Sequence, residues 1–355
     1  MDFELSADQV ALRDAASELL GDLAVSERVR AVVDAGGPTD RALWAAMVDQ
    51  GWTAVTVPES FGGLGLGMVE AAVLLEQVGA HVAPAPILGQ LVALSCIVDS
   101  PAGRWVEPLM RGEAVAAVAW RRVAADPVGR DSWVLTGETE PVPYAPEADL
   151  LVVPADHGLF AVELPAGARP DQIPAMDRTR PLGRVRFDAT AAVRLGGEEA
   201  VQRHLDTGAT ALSAELLGIA ARSLEQAVAY ASVREQFGRP IGSFQAVKHR
   251  CADMLVDVEG MRSAAYWAAW CVQVDDPDRS VAASTAKTWC SDAARRVTAS
   301  ALQVHGGIGF TWDCDVHLYL KRAQLDEVAF GDAVFHRSRL ASLLRARVES
   351  GQSVI

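Results

Sequence analysis

This sequence is short of cysteine, of positive charge and of long apolar runs, and each shortage excludes something. Five cysteines (Cys96, Cys251, Cys271, Cys290, Cys314) are scattered through 355 residues without a CxxC pair. That excludes a disulfide framework and a zinc site, and it suits reduced intracellular thiols. No run of about 18 apolar residues occurs, so no membrane-spanning helix is expected. Lys and Arg number 32 against 46 Asp and Glu, a net charge of -14. Such a balance argues against nucleic acid and against an anionic membrane surface. It leaves room for an anionic small ligand, because a few local cations suffice. The opening Met1-Asp2-Phe3-Glu4-Leu5 is acidic early and lacks a basic-then-apolar signal, so a cytoplasmic location is expected. Repeats and low-complexity segments are also missing. What remains is a half-apolar chain long enough for two or three domains with ample core.

Three regions follow one another. Residues 1–112 read as helical. Ser6 and Gln9 form a start signal for a helix over 5–35, and a second helix over 41–50 ends at Gly51. The loop Thr53 to Gly67 carries Pro58-Glu59-Ser60-Phe61-Gly62-Gly63-Leu64-Gly65 and reads as a tight interhelical connection. A phosphate cradle has less support, because no Gly-Lys-Ser/Thr follows. Helices are expected again over 68–80 and 89–98. Residues 113–196 are strand-like: 115–120, 133–137, 150–153, 159–162 and 179–188, separated by turn formers such as Asp126-Pro127 and Asp156-His157-Gly158. This predicts a small β-barrel or sandwich of about five to seven strands. Residues 197–355 predict a four-helix bundle, with helices over 206–234, 244–274, 280–305 and 315–348. On the first, Leu217, Leu224 and Val228 share a face. Ala209, Ala211, Ala214, Ala220, Ala221 and Ala227 permit close helix approach.

The bundle region carries the chemistry. One motif is Arg234-Glu235-Gln236-Phe237-Gly238, followed by Phe244-Gln245-Ala246-Val247-Lys248-His249. The other is Gln303-Val304-His305-Gly306-Gly307-Ile308-Gly309-Phe310. A helical frame presenting an arginine, an aromatic ring and a Gly-rich turn can hold a flat, anionic cofactor. In isolation, Arg234 could equally complement a helix C-terminus, and Gly306-Gly307 could be a helix stop.

With Pro58 to Gly65 and His317-Leu318-Tyr319-Leu320-Lys321-Arg322-Ala323, these motifs resemble the acyl-CoA dehydrogenase family in order and spacing. The resemblance covers nearly the whole chain. It implies an N-terminal helical domain, a β middle domain and a C-terminal four-helix bundle. It further implies FAD as cofactor, an acyl-CoA thioester as substrate and an electron-transfer flavoprotein as acceptor. Such an enzyme needs a carboxylate to take the α-proton, donors to polarise the thioester carbonyl, and a flavin held flat. In this family each FAD spans two subunits. The resemblance therefore assigns Arg234 to the pyrophosphate of an FAD held mainly by a neighbour. It gives Phe237 and Phe244 a packing role, and Gln245 the adenosine end. Gln303, Val304, His305, Gly306 and Gly307 would bring backbone to the diphosphate.

Two expected features are missing. A Thr-Glu-Pro-Gly-x-Gly-Ser-Asp segment in the β-domain should touch flavin and thioester, but Val118 to Pro127 stands there. Thr139-Glu140-Pro141 comes too late and reads as a loop. The family's glutamate base falls at Phe330, with Asp332 where a hydroxyl would lie. The alternative base position, near Gly208, carries no acid. Glu215 and Glu225 are rescue candidates, though a surface or interface carboxylate is the plainer reading. Asp326 and Glu327 read as exposed acids beside Lys321 and Arg322. An intact half-site for a neighbour's FAD beside an eroded site of its own resembles the non-catalytic chain of actinobacterial α2β2 steroid side-chain dehydrogenases. On that reading a longer homologous subunit supplies the base. Two alternatives stay open: a homotetrameric dehydrogenase with a displaced base such as Glu215, and a scaffold of the same fold without flavin.

Overall fold

The computed structural model describes residues 4–129 and 132–351. Met1 to Phe3 of the acidic opening lie outside the described residues. The order is α1 (Ala7–Leu23), α2 (Ser26–Asp34), α3 (Arg41–Asp49), α4 (Met68–Ala80), α5 (Ile87–Ile97) and α6 (Val106–Met110). Strands β1 (Ala116–Val118), β2 (Ala124–Pro127), β3 (Trp133–Glu138), β4 (Val142–Pro143), β5 (Leu150–Ala155), β6 (Gly158–Glu163), β7 (Gln172–Ile173), β8 (Leu182–Gly183) and β9 (Arg186–Gly196) follow. The long helix α7 (Glu198–Val233) leads to a small hairpin, β10 (Glu235–Gln236) and β11 (Arg239–Pro240). Then come α8 (Gln245–Gln273), α9 (Arg279–His305), α10 (Val316–Val328) and α11 (Ala333–Glu349). This is the expected sequence of helices, sheet and helical bundle. Among the described residues no helix is long and apolar enough to cross a membrane, and no cluster of three metal-ligating side chains occurs.

The chain forms two compact units. One contains the described residues of Met1–Ser26, Ala72–Ala83 and Ala209–Ile355; the other contains Glu27–Ala71 and Pro84–Gly208. The single helix expected over 5–35 is two helices, and the break at Ala24-Val25 lies where the chain passes from one unit to the other. The start signal is a capping box: Ser6 Oγ accepts from the Gln9 amide, and Gln9 Oε1 accepts from the Ser6 amide.

In the second unit a six-stranded sheet runs β1-β5-β6-β9-β3-β2, and β4-β8-β7 form a smaller one. The sheets do not close into a barrel. Strand β5 is buried along its whole length, which fits its continuous apolar run Leu150 to Ala155. Phe160, Leu151, Val153, Val185 and Phe187 centre the core, with Trp133 packed on it.

In the first unit α9 is the central helix, packed against α8, α10 and α11. Its buried residues are mostly small, among them Ala282, Ala286, Ala293, Ala294 and Ala301, which lets neighbours approach closely. Helices α4 and α7 meet through two glycines. A Cβ on Gly79 would lie 2.0 Å from the Glu215 carbonyl oxygen, and one on Gly218 would lie 1.8 Å from that of Glu76. Only glycine permits this contact. On α7, Leu217 is buried as expected, whereas Val228 is 44% exposed and faces away from the core. The last predicted helix is also two. Phe330 (φ 53°) and Gly331 (φ 92°) interrupt it, and Asp332 Oδ1 restarts it by accepting from the Phe335 amide at 2.8 Å.

Candidate cofactor site

The C-terminal end of α7 runs into the β10–β11 hairpin. Its two-residue turn, Phe237-Gly238, has positive φ at both positions (55° and 75°), the geometry that matches strand twist. The Ile241 amide donates to the Arg234 carbonyl at 2.7 Å and closes the loop. Phe237 is left 91% exposed, edge-on to Phe244 at 6.0 Å between ring centroids. Arg239 lies over the Phe244 ring at 4.2 Å. Phe244 caps α8 without a side-chain bond, and Gln245, Lys248 and His249 stand exposed on that helix's first turn. Arg234 is exposed, and no carboxylate pairs with its guanidinium among the described residues.

The second motif ends α9. Gly306 leaves the helix at φ 63°, and added Cβ atoms on Gly306 or Gly307 would meet nothing within 4 Å. The backbone there is open to close approach by a ligand. Gln303 is exposed, while Val304 and His305 are buried. His305 Nδ1 donates to the Ala301 carbonyl at 2.8 Å, and its ring stacks on Tyr230 at 4.6 Å. The Arg234 amide bonds the Tyr230 carbonyl. The stack therefore joins the ends of α7 and α9, bringing Arg234 and the Gly306-Gly307 turn to one end of the first unit. Ile308, Phe310 and Trp312 are exposed nearby in sequence. Unspent cationic and amide donors, open glycine backbone and bare aromatic rings fit the phosphate and adenine portions of FAD.

The place of the expected base is different. Phe330 is 3% exposed, and its turn is consumed from within. Lys287, itself fully buried, donates to Ser291 Oγ (3.0 Å), the Glu327 carbonyl (2.8 Å) and the Gly331 carbonyl (2.9 Å). Burial pushes its pKa down to about 8, with the nearby Asp326 charge opposing that. His336 Nε2 donates to the Phe330 carbonyl at 2.8 Å, and burial lowers that imidazole to about 3. A left-handed Phe costs about 1–3 kcal/mol; these bonds hold it. Asp332, expected opposite a flavin, is a helix cap.

Several acids do not stand where the sequence suggested. Glu215 is neither a surface nor an interface group: Arg322 Nη1 donates to its Oε1 at 2.7 Å, and both side chains are 0% exposed. Asp326 and Arg322 are buried rather than exposed, because this face of α10 packs into the unit. Glu327 lies 3.8 Å from Arg295. Glu225, by contrast, is the surface carboxylate the plainer reading expected, paired with Arg222. In the second unit Glu140 is more than a loop residue: the Trp120 amide donates to its Oε1 at 2.8 Å, and burial raises its pKa. His204 donates to the Ala119 carbonyl at 2.6 Å, and burial lowers it to about 4. The peptide after β1 is thus held by Glu140 and His204, with no hydroxyl or Ser-Asp.

Sequence reasoning missed Lys287, His336 and His204. Lys287 had a signal: it sits in the small-residue stripe Ala283, Ala286, Cys290, Ala294, where a lysine must be buried. The two histidines had none, because their partners are backbone carbonyls.

The acyl-CoA dehydrogenase N-terminal domain pattern matches residues 6–101, and the C-terminal domain pattern matches 196–344. Acyl-CoA dehydrogenase IpdE2 of Mycolicibacterium smegmatis is 34% identical over 320 residues, covering 90% of this chain and 93% of that protein. A variant of the Tcur3481-Tcur3483 steroid ACAD is 32% identical with a TM-score of 0.90, covering 96% of this chain and 99% of that one. The ChsE4-ChsE5 complex from Mycobacterium tuberculosis contains a chain 28% identical with a TM-score of 0.91, at 97% and 99% coverage.

Proposed function

This chain belongs to the acyl-CoA dehydrogenase family, whose cofactor is FAD, and from that premise we propose that it is the non-catalytic subunit of a heteromeric acyl-CoA dehydrogenase. The observation that carries the reading is Phe330, buried where the base is expected, in a turn whose carbonyls are spent on Lys287 and His336. A phenyl ring cannot accept a proton, and Glu215 is committed to Arg322. The chain's role is then to complete a partner's site. Arg234 and Gln303 would bond the FAD pyrophosphate, Gly306 and Gly307 would admit it, and Phe237, Phe244 and Gln245 would receive the adenosine end. Bound FAD supplies the hydride acceptor for α,β-desaturation of an acyl-CoA thioester; the α-proton goes to a carboxylate of the longer, homologous partner. We assign the substrate to steroid side-chain thioesters, supported by the steroid ACAD likeness and by the two-component ChsE4-ChsE5 complex. An electron-transfer flavoprotein is the proposed acceptor.

Co-production with a longer homologue bearing the glutamate tests this. One FAD per unlike pair is expected, with turnover only in the complex. One FAD per chain and full turnover from the isolated protein would sink the proposal.

A further inference from the structure

The geometry points to a second binding site in the first unit, one that takes a small organic acid through carboxylate or phosphate groups. A cavity of about 690 Å³ opens among α1, α4, α7 and α8, within the usual small-molecule range of roughly 300–1,000 Å³. Arg13, Arg222 and Arg262 line it, with His81 and Tyr266. Glu4, Glu76 and Glu225 also line it, so net charge is balanced and selection must come from donors and acceptors.

The most buried acceptor is already used. Glu76, 7% exposed, takes Arg262 Nη1 at 2.6 Å on one oxygen and the Tyr266 hydroxyl at 2.7 Å on the other. This tie joins α4 to α8 and forms a fixed wall. Glu225 Oε2 takes Arg222 Nη1 at 3.0 Å. The donors are not exhausted. A guanidinium carries five N–H groups. Among the described residues Arg13 donates through Nε and Nη2, both to the adjacent Asp14. The Arg13 and Arg222 side chains are 44% and 47% exposed, and their carboxylate partners are more exposed still; Arg222 also bonds the buried Tyr319 hydroxyl, which holds it toward the cavity. Exposed pairs of this kind are worth about 0–1 kcal/mol. A charge-assisted, bidentate contact to a carboxylate or phosphate is stronger and would displace them. A cavity whose buried Glu76 is spent and whose arginines keep N–H groups to offer selects an acceptor-rich guest.

The site is separate from the proposed cofactor contacts. Arg222 precedes the end of α7 at Val233 by eleven residues, about 17 Å of helix. The inference therefore does not rest on the proposed subunit role.

Calorimetric titration of the full chain with citrate, and separately with inorganic pyrophosphate, tests it. We expect saturable binding of one acid per chain with Kd below about 1 mM. Citrate alone would identify a carboxylate guest, and pyrophosphate alone a phosphate guest. Arg13→Ala and Arg222→Ala should each weaken binding about tenfold. Both change half-exposed residues, so unaltered melting temperatures should certify the fold. Arg234→Ala should leave this binding unchanged. No saturable heat from either acid, or binding indifferent to both substitutions, would overturn the proposal.

Discussion

The two ends of the inherited chemistry in the first unit are built in opposite ways. Around Arg234, Phe237 and Gly306-Gly307, the guanidinium and the Phe237 ring are exposed and the glycine backbone has open space beside it. Around Phe330, the ring is buried and the Glu327, Phe330 and Gly331 carbonyls are bonded by Lys287 and His336 from within. A surface waiting for a ligand carries unfinished valences, and an unfinished group is tolerated only where water or a guest can complete it. A site that has stopped serving a ligand can be completed from inside. On the proposed reading, the contrast would separate retained function from retained architecture without reference to any particular substrate.

Four measurements would break or sharpen the contrast. The largest effect should come from the closed interior. Arg322→Met removes the buried guanidinium from the buried Glu215 carboxylate, and it should lower the unfolding free energy by about 3–5 kcal/mol in urea titrations. A loss below about 1 kcal/mol would show that the interior is not closed as described. Next is the open end. Arg234→Ala should loosen flavin from the co-purified complex by about 1.5–3 kcal/mol, a factor of ten or more, while leaving the chain's own stability unchanged. Equal flavin retention would remove Arg234 from the site.

The third measurement uses pH. His336 has its pKa lowered to about 3 by burial, against 6.5 unfolded. The unfolded chain then binds the extra proton between those values, so stability is full above pH 6.5 and falls as acid is added. His336→Gln should reduce the slope of unfolding free energy against pH in that window by up to about 1.4 kcal/mol per unit. An unchanged slope would place the charge loss elsewhere, at His204 or the half-buried His81, both imidazoles lowered by burial with the same sign. The smallest effect should be Phe237→Ala. An exposed ring should cost the isolated chain less than about 0.5 kcal/mol, yet it should lower flavin content measurably in the complex. A large loss of stability would mean that the hairpin is structural.

Much of the fold was legible because its signals are local. The Ser6–Gln9 capping box, the apolar run of β5 and the turn at Asp156-His157-Gly158 each lie within a few residues. Strands β2, β4, β7, β10 and β11 were missed; four of them are only two residues long and carry no periodicity. The break at Phe330 was hidden because a tertiary lysine and histidine impose it, not the dipeptide itself. Glu215 and Arg322 lie 107 residues apart, so the sequence showed two charges on two helices and no sign that they are buried together. The motifs at Arg234 and Gly306 could be read because each is contiguous. What brings them together is the Tyr230–His305 stack, which no spacing announces.

The paired glycines at the α4–α7 crossing set a limit on how this protein can diverge. Each hydrogen at Gly79 or Gly218 occupies room that a methyl group would need, so mutation to alanine at either would pry the helices apart. Glu76 and Glu215 hang from the very carbonyls that would be struck. A one-carbon change would therefore reach the arginine-lined cavity and the buried ion pair together. Those two features must drift as one heritable block, whatever selection later asks of either.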